Sequence, residues 1–439
     1  MTVTLSLKAK GNQALNSIIH RIAESKRCVV VAGAGVSVSA GIPDFRSSSG
    51  LFAEVQKKHG NLFLSGKDLF DASQVFRTKE AVDAFNSFIT ALSDKCRNTE
   101  PAEFHHWLAN MARRGSLQRC YTQNIDGLEE KAGLSVLETS RYGSDNKQHT
   151  DKCEVVPLHG DMRFLVCAIC KQIYSFIHNT NSAIGDSNTL NAGDPCPECL
   201  HRSNKRVEVG RRALPVGCLR PNIVLYNEPH PHEELVSKVI AKDTAPPLSL
   251  SAASKTPDVI LIVGTSLKVH GCQKLVRALA ANAHRANEIY EKSRAQRTSK
   301  RGGEPRPPSI VVLLNRDPVC TKAWEGIIDY QIVGDIETLC KKSKAIWNSQ
   351  STLDRWMPAV KKPHGSLALE FKNQNKRKAM AAKPSSNAQR PDVHTASKSP
   401  KQPSSPLAAN IFQTPPGSRQ SKRLKIQREH LRSVPLPVF

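Results

Sequence analysis

The sequence predicts an α/β fold built on a doubly wound parallel sheet, and three observations carry that prediction. Short apolar runs at Cys28–Ala32, Val259–Val263 and 310–314 have the length and β-branched content of strands buried on both faces. Stripes of helical period separate them, with Leu15, Ile18, Ile19 and Ile22 before the first run and Ala81, Val82, Phe85, Phe88, Ile89 and Leu92 after it. Each run then gives way to a polar or glycine-containing turn, and in a parallel sheet such turns gather at the carboxyl edge, where ligands bind.

Taken in order, a helix over the first stripe leads into strand Cys28–Ala32. The second stripe forms another helix, and 101–114 reads as a third, with Pro101 near its first turn and Gly115 past its end. A strand over 117–120 follows. Two stretches read as surface loops, 243–257 for its Pro and Ser content and 284–309 for a basic run that includes Arg294, Arg297, Lys300 and Arg301. The folded catalytic part is expected over 12–350, with a helical insertion near 47–105.

Composition bounds the rest. The chain has 439 residues, 63 basic and 39 acidic, for a net charge of +24. Residues 351–439 hold 17 basic and 4 acidic side chains, so +13 of that charge sits in a Pro-, Ser-, Lys- and Gln-rich segment expected to be a disordered tail. No window approaches the roughly 18 apolar residues of a membrane span, and the start lacks a signal-peptide core, so a soluble intracellular protein with no membrane partner is expected. In that reducing setting the twelve cysteines are not expected to form disulfides, and the clustered ones read as metal ligands or reactive thiols.

Several places carry chemistry. Gly33-Ala34-Gly35-Val36-Ser37 follows the first strand, where glycines let backbone N–H groups approach a pyrophosphate; the third glycine of the dinucleotide fingerprint is absent, and an ordinary tight turn reads the same way. The continuation from Ala40 through Asp44, Phe45 and Arg46 places an acid, an aromatic and an arginine in one punctuated loop. Gln123, Asn124, Ile125 and Asp126 stand where a strand meets a helix, and either cap that helix or bind a ligand carrying hydroxyls and a carboxamide. His159, after a short apolar run, is either structural or a general base, its ordinary pKa of about 6.5 suiting the second role.

The strongest motif is Cys167-x-x-Cys170 with Cys196-x-x-Cys199, two pairs separated by 25 residues. Four thiolates close a tetrahedral Zn²⁺ site with no position left for water, so the ion is structural, in a module near 160–215. Gly264-Thr265-Ser266 and Asn315 complete a row of strand-end groups converging on one cleft.

In this order the motifs resemble the sirtuins, NAD-dependent protein-lysine deacylases, over about 12–345. The tail and the variant around 219–224 are similar to fungal nuclear members acting on histone H3. The resemblance implies a Rossmann-like domain in which the substrate's acetyl oxygen attacks the nicotinamide ribose, nicotinamide leaves, and the acetyl group ends on ADP-ribose. By position it makes His159 the base toward a ribose hydroxyl, and Asn124 the residue orienting the ribose and a water. It puts Ile125 and Asp126 on the carboxamide, Gln123 on the ribose, Phe45 over the reacting ribose and Arg46 on NAD. Gly33, Ala34, Gly35, Ser37, Asp44, Gly264, Thr265 and Ser266 line the cofactor, with Asn315 at the adenosine ribose.

Val224, Tyr226, Asn227 and Glu228 would face an acetyl-lysine peptide, giving it main-chain partners. Asn227 departs from the family's usual Gly. The resemblance also implies a nuclear enzyme acting on acetylated histone in chromatin silencing and genome maintenance. Basic clusters at Lys376-Arg377-Lys378 and Lys422-Arg423 suit nuclear import or nonspecific nucleic-acid contact. A hydride-transferring oxidoreductase does not account for the four cysteines, and a silent scaffold does not account for His159 with Asn124.

Overall fold

The computed structural model describes residues 2–9, 11–43, 55–57, 60–137, 153–176, 190–230, 232–296 and 307–353. Among these, seven strands form one sheet in the order β1-β10-β9-β8-β2-β3-β4: β1 Val3–Ser6, β2 Cys28–Ala32, β3 Leu117–Thr122, β4 Val155–Pro157, β8 Val259–Val263, β9 Ile310–Asn315 and β10 Tyr330–Val333. Every pairing in it is parallel. From β2 the chain winds one way through β3 and β4, and from β8 the other way through β9 and β10, so the topological switch point lies between β2 and β8.

Alternation along β2 explains the layers. Cys28, Val30 and Ala32 pack with helices α1 (Gln13–Ala23), α3 (Glu103–Arg113) and α7 (Ile336–Leu353). Val29 and Val31 face α5 (Glu233–Asp243) and α6 (His270–Gln296) on the other side. A third core joins α2 (Lys79–Arg97) to an antiparallel sheet of β5 (Gly160–Cys167), β6 (Ile173–Ser175) and β7 (Leu219–Ile223), and to α4 (Pro197–Glu208). It stands beside the carboxyl edge of the large sheet because β5 leaves directly from the end of β4.

Several boundaries differ from expectation. Strand β1 pairs with β10 and starts the sheet ahead of residue 12. Strand β3 runs on to Thr122. Pro101 lies outside α3, whose first turn is closed by Ala102 N–H donating to His105 Nδ1 at 3.1 Å. The expected loop 284–309 is helical as far as Gln296, because Ala280, Ala283 and Ala286 continue the buried stripe of α6 while its charges face out. Within 243–257, Ser249 Oγ accepts Ala252 N–H and caps a one-turn helix, Leu250–Ala253. Helix α7 passes the boundary at 350 by one turn; the remainder of the tail lies outside the described residues. No helix among them is long and apolar enough to cross a membrane.

Candidate active site

The carboxyl ends of β9, β8, β2, β3 and β4 are adjacent and carry, in that order, Asn315, Gly264, Gly33, Gln123 and His159. Residues scattered over nearly 300 positions of sequence thereby share one edge.

At the switch point the turns after β2 and β8 press directly together. Gly35 N–H donates to Gly264 O at 2.8 Å, and Gly33 N–H to Val263 O at 3.0 Å. A Cβ on Gly33 would stand 2.7 Å from Thr265 Cβ, and one on Gly35 2.8 Å from Gly264 Cα, closer than side chains approach. Both glycine amides are engaged within the protein, and these glycines bring two loops into contact.

The end of β3 is tied to this junction. Gln123 Nε2–H donates to Thr265 Oγ1 at 3.0 Å. Asn124, 5% exposed, donates from its side chain toward Ser37 Oγ at 3.3 Å and Gly33 O at 3.4 Å, while its Oδ1 has no protein partner. A buried amide oxygen left open is costly unless a ligand or water supplies a donor. Ser37 Oγ–H donates to Asp126 Oδ2 at 2.7 Å and Leu128 N–H to Asp126 Oδ1 at 3.0 Å. Asp126 thus accepts a hydrogen bond from the helix start, as a capping residue does, and also braces Ser37. Ile125 is buried in the third core. Asn315 donates to Asp317 O at 3.1 Å, and its neighbour Leu314 accepts Gly264 N–H. Asp44, Phe45 and Arg46 lie outside the described residues.

His159 Nδ1–H donates to Gln123 O at 2.8 Å, so the lone pair resides on Nε2. Burial holds the imidazole below its usual pKa, against the opposing pull of that carbonyl. The ring is therefore neutral and basic at physiological pH. Behind it, His230 accepts His232 N–H at 2.9 Å, and burial followed by like charge from His232 and His159 lowers its pKa to about 4.

The segment after β7 is less open than expected. Val224 N–H donates to His159 O, Tyr226 N–H to Phe70 O, and Leu225 N–H to Glu228 Oε1. Glu228 also receives both Nη groups of Arg220, at 2.8 and 2.6 Å. These N–H groups and this carboxylate are occupied, so the main-chain donors expected for a peptide are not free at 224–226, and Glu228 braces the loop. Asn227 has φ of 64°, a left-handed backbone that asparagine tolerates better than most residues, which explains how it replaces glycine.

All four sulfurs of Cys167, Cys170, Cys196 and Cys199 lie within 4.8 Å of one another, with Cys167–Cys199 at 3.7 Å and Cys170–Cys196 at 3.6 Å. A tetrahedron with Zn–S near 2.3 Å has edges of about 3.8 Å. Ile169 and Cys170 N–H both point at Cys167 Sγ at 3.4 Å, as donors stabilising a thiolate do. These residues can hold one structural zinc ion. Of the other eight cysteines, six are buried, Cys320 is half-buried and Cys218 is exposed.

A family model described as "Sir2 family" matches residues 33–271. The chain is 35% identical over 332 residues to the NAD-dependent histone deacetylase HST3 of Saccharomyces cerevisiae, covering 74% of this chain and 66% of that protein. It is 32% identical over 394 residues to the NAD-dependent protein deacetylase hst4 of Emericella nidulans, covering 87% and 58%. With hst4 of Schizosaccharomyces pombe the identity is 33% over 340 residues, covering 77% and 71%. Against the first two of these relatives the chain spans less than two thirds of their length.

Proposed function

Because the chain belongs to the Sir2 family, we propose that it is an NAD-dependent protein-lysine deacetylase acting on histones. The observation that carries this reading is the pairing of a neutral, Nδ1-anchored His159 with the open Oδ1 of buried Asn124 at one switch-point cleft. The names of the relatives support the substrate class.

NAD, when bound, supplies nicotinamide as leaving group and the ribose that receives the acetyl group. Nε2 of His159 takes up the proton of a ribose hydroxyl, and its anchor on Gln123 keeps that nitrogen unprotonated beforehand. Asn124 Oδ1 accepts from a ribose hydroxyl or a water. Asp126 and Ile125 take the carboxamide, and Gln123 the ribose. Gly33, Ala34, Gly35, Ser37, Asp44, Gly264, Thr265 and Ser266 bind the cofactor, Phe45 shields the reacting ribose, Arg46 positions NAD and Asn315 meets the adenosine ribose. The peptide lies along Val224, Tyr226 and Asn227, using groups other than the N–H donors already engaged. Zinc on the four cysteines holds the 160–215 module and takes no part in the chemistry.

Acetylated histone H3 in nuclear chromatin is the proposed substrate, with the basic tail adding nonspecific nucleic-acid contact that weakens steeply with salt. Incubating the purified protein with acetylated histones, with and without NAD, and mapping lost acetyl groups by mass spectrometry tests both reaction and lysine. Acetyl loss independent of NAD, or no loss with it, overturns the proposal.

A further inference from the structure

Behind the 123–126 loop lies a buried cluster that the chemistry above does not use. His105 is fully buried on α3, and Glu129 is 2% exposed on the one-turn helix Leu128–Lys131. Their ring nitrogen and carboxylate oxygen, together with an oxygen of Asp126, lie within 4.8 Å of one another. His105 Nε2 and Glu129 Oε1 have no protein hydrogen-bond partner. Since His105 Nδ1 accepts Ala102 N–H, the neutral ring carries its hydrogen on Nε2. That nitrogen is a donor rather than a metal ligand, and it lies in the same buried cluster as the open oxygen of Glu129.

From Glu129 the connection continues to both proposed catalytic residues. The Thr122 side chain neighbours the Glu129 carboxyl, whose pKa it pulls down against burial, and its hydroxyl accepts Asn124 N–H at 3.1 Å. Thr122 O accepts Leu158 N–H at 2.8 Å, immediately before His159. We infer that His105 and Glu129 are positioning residues: one bridging water links His105 Nε2–H to Glu129, and Glu129 steadies Thr122 so that Asn124 and His159 keep their places. A bridging water transmits this orientation nearly as well as a direct contact. This inference rests on the deacetylase reading for its kinetic consequences only.

Two carboxyl groups so close and so buried do not both ionise readily. Burial raises the pKa of Asp126, opposed by the hydrogen bonds from Leu128 N–H and the Ser37 hydroxyl that favour its charged form, and burial with the Asp126 charge pushes Glu129 to about 8. The other ionisable groups facing Glu129 are Asp161 and Arg163 on β5, Cys120 on β3 and His105 on α3; His106 lies beside His105. Glu129 therefore serves as a protonated group at neutral pH. Its folded pKa is raised, so its stabilising contribution is present at low pH and is lost as pH rises through about 8.

The test uses the full chain, with Glu129→Gln as a mimic of the protonated acid, Glu129→Leu, His105→Phe and His105→Gln. The expected result is a kcat lower by tenfold or more for Glu129→Leu and His105→Phe, with KM for acetylated peptide within about twofold, and recovery in Glu129→Gln and His105→Gln. Wild-type kcat in Glu129→Leu overturns the inference, as does Glu129→Gln being as impaired as Glu129→Leu. Thermal unfolding from pH 6 to 9 supplies a readout that needs no activity: the wild type should lose stability relative to Glu129→Gln as pH rises. Parallel curves overturn the inference even if Glu129→Leu does not fold. An inactive wild type with diverging curves rejects the deacetylase reading alone.

Discussion

His159 and Gln123 are joined by a 2.8 Å hydrogen bond from the ring Nδ1–H to the main-chain carbonyl, across the ends of adjacent strands β4 and β3. The bond sets the tautomer, and burial lowers the ring's pKa. His159→Ala should keep fold and zinc while deacetylation falls by about 10² to 10⁴. Steady-state kinetics with an acetylated peptide checks this, and an unchanged rate rejects the assignment.

The same geometry dictates a pH dependence. A base with a lowered pKa stays neutral to lower pH, so the acid limb of kcat/KM should fall below pH 6.5, the ordinary imidazole value. Measuring kcat/KM from pH 5 to 8 checks it; a midpoint above 6.5 contradicts the buried environment.

Gly35 and Gly264 meet backbone to backbone, so Gly35→Ala forces the two turns apart. Overpacking of this kind costs about 1–3 kcal/mol. A lower unfolding midpoint and weaker NAD binding by calorimetry are expected together, since the junction shapes the cleft.

Gly217 presses against the cysteine cluster: a Cβ there would lie 2.6 Å from Cys167 Sγ. A sulfur bound to metal has little freedom to move aside. Gly217→Ala should weaken zinc retention, and Cys199→Ala should reduce zinc from one per chain to none, with local unfolding of 160–215. Metal analysis after dialysis against a chelator reads both.

Asp243 and Arg119 form an ion pair at 2.9 Å with both side chains 5% exposed, and Tyr121 O–H donates to the same Asp243 oxygen at 2.7 Å. Asp243→Ala leaves Arg119 buried without its counter-charge, a change that typically costs 3–5 kcal/mol, or about that here. Denaturant unfolding checks it; a loss below about 1 kcal/mol contradicts the burial of the pair.

The groups legible in the sequence were those whose signal is local. Four cysteines in two close pairs, and polar turns closing the apolar runs at Ala32, Val263 and Leu314, need only spacing to be read. The 284–296 helix was missed because its charges fill the exposed face while small alanines mark the buried one, so the apolar stripe is thin. His105 and Glu129 were missed for a related reason. Polar side chains on helices read as solvated, and nothing nearby in sequence marks them as buried.

By itself the sequence determined the parallel α/β architecture, the metal-binding sulfurs and the row of strand-end residues from Gly33 to Asn315, because burial period and motif spacing are properties of short segments. Only the tertiary structure decided which backbone donors are already engaged, which oxygen of Asn124 stays open, and that His105 lies behind Glu129. Those outcomes depend on distances between strands β2, β3, β4 and β8 and the helix carrying His105, which are set by packing among segments far apart in the chain.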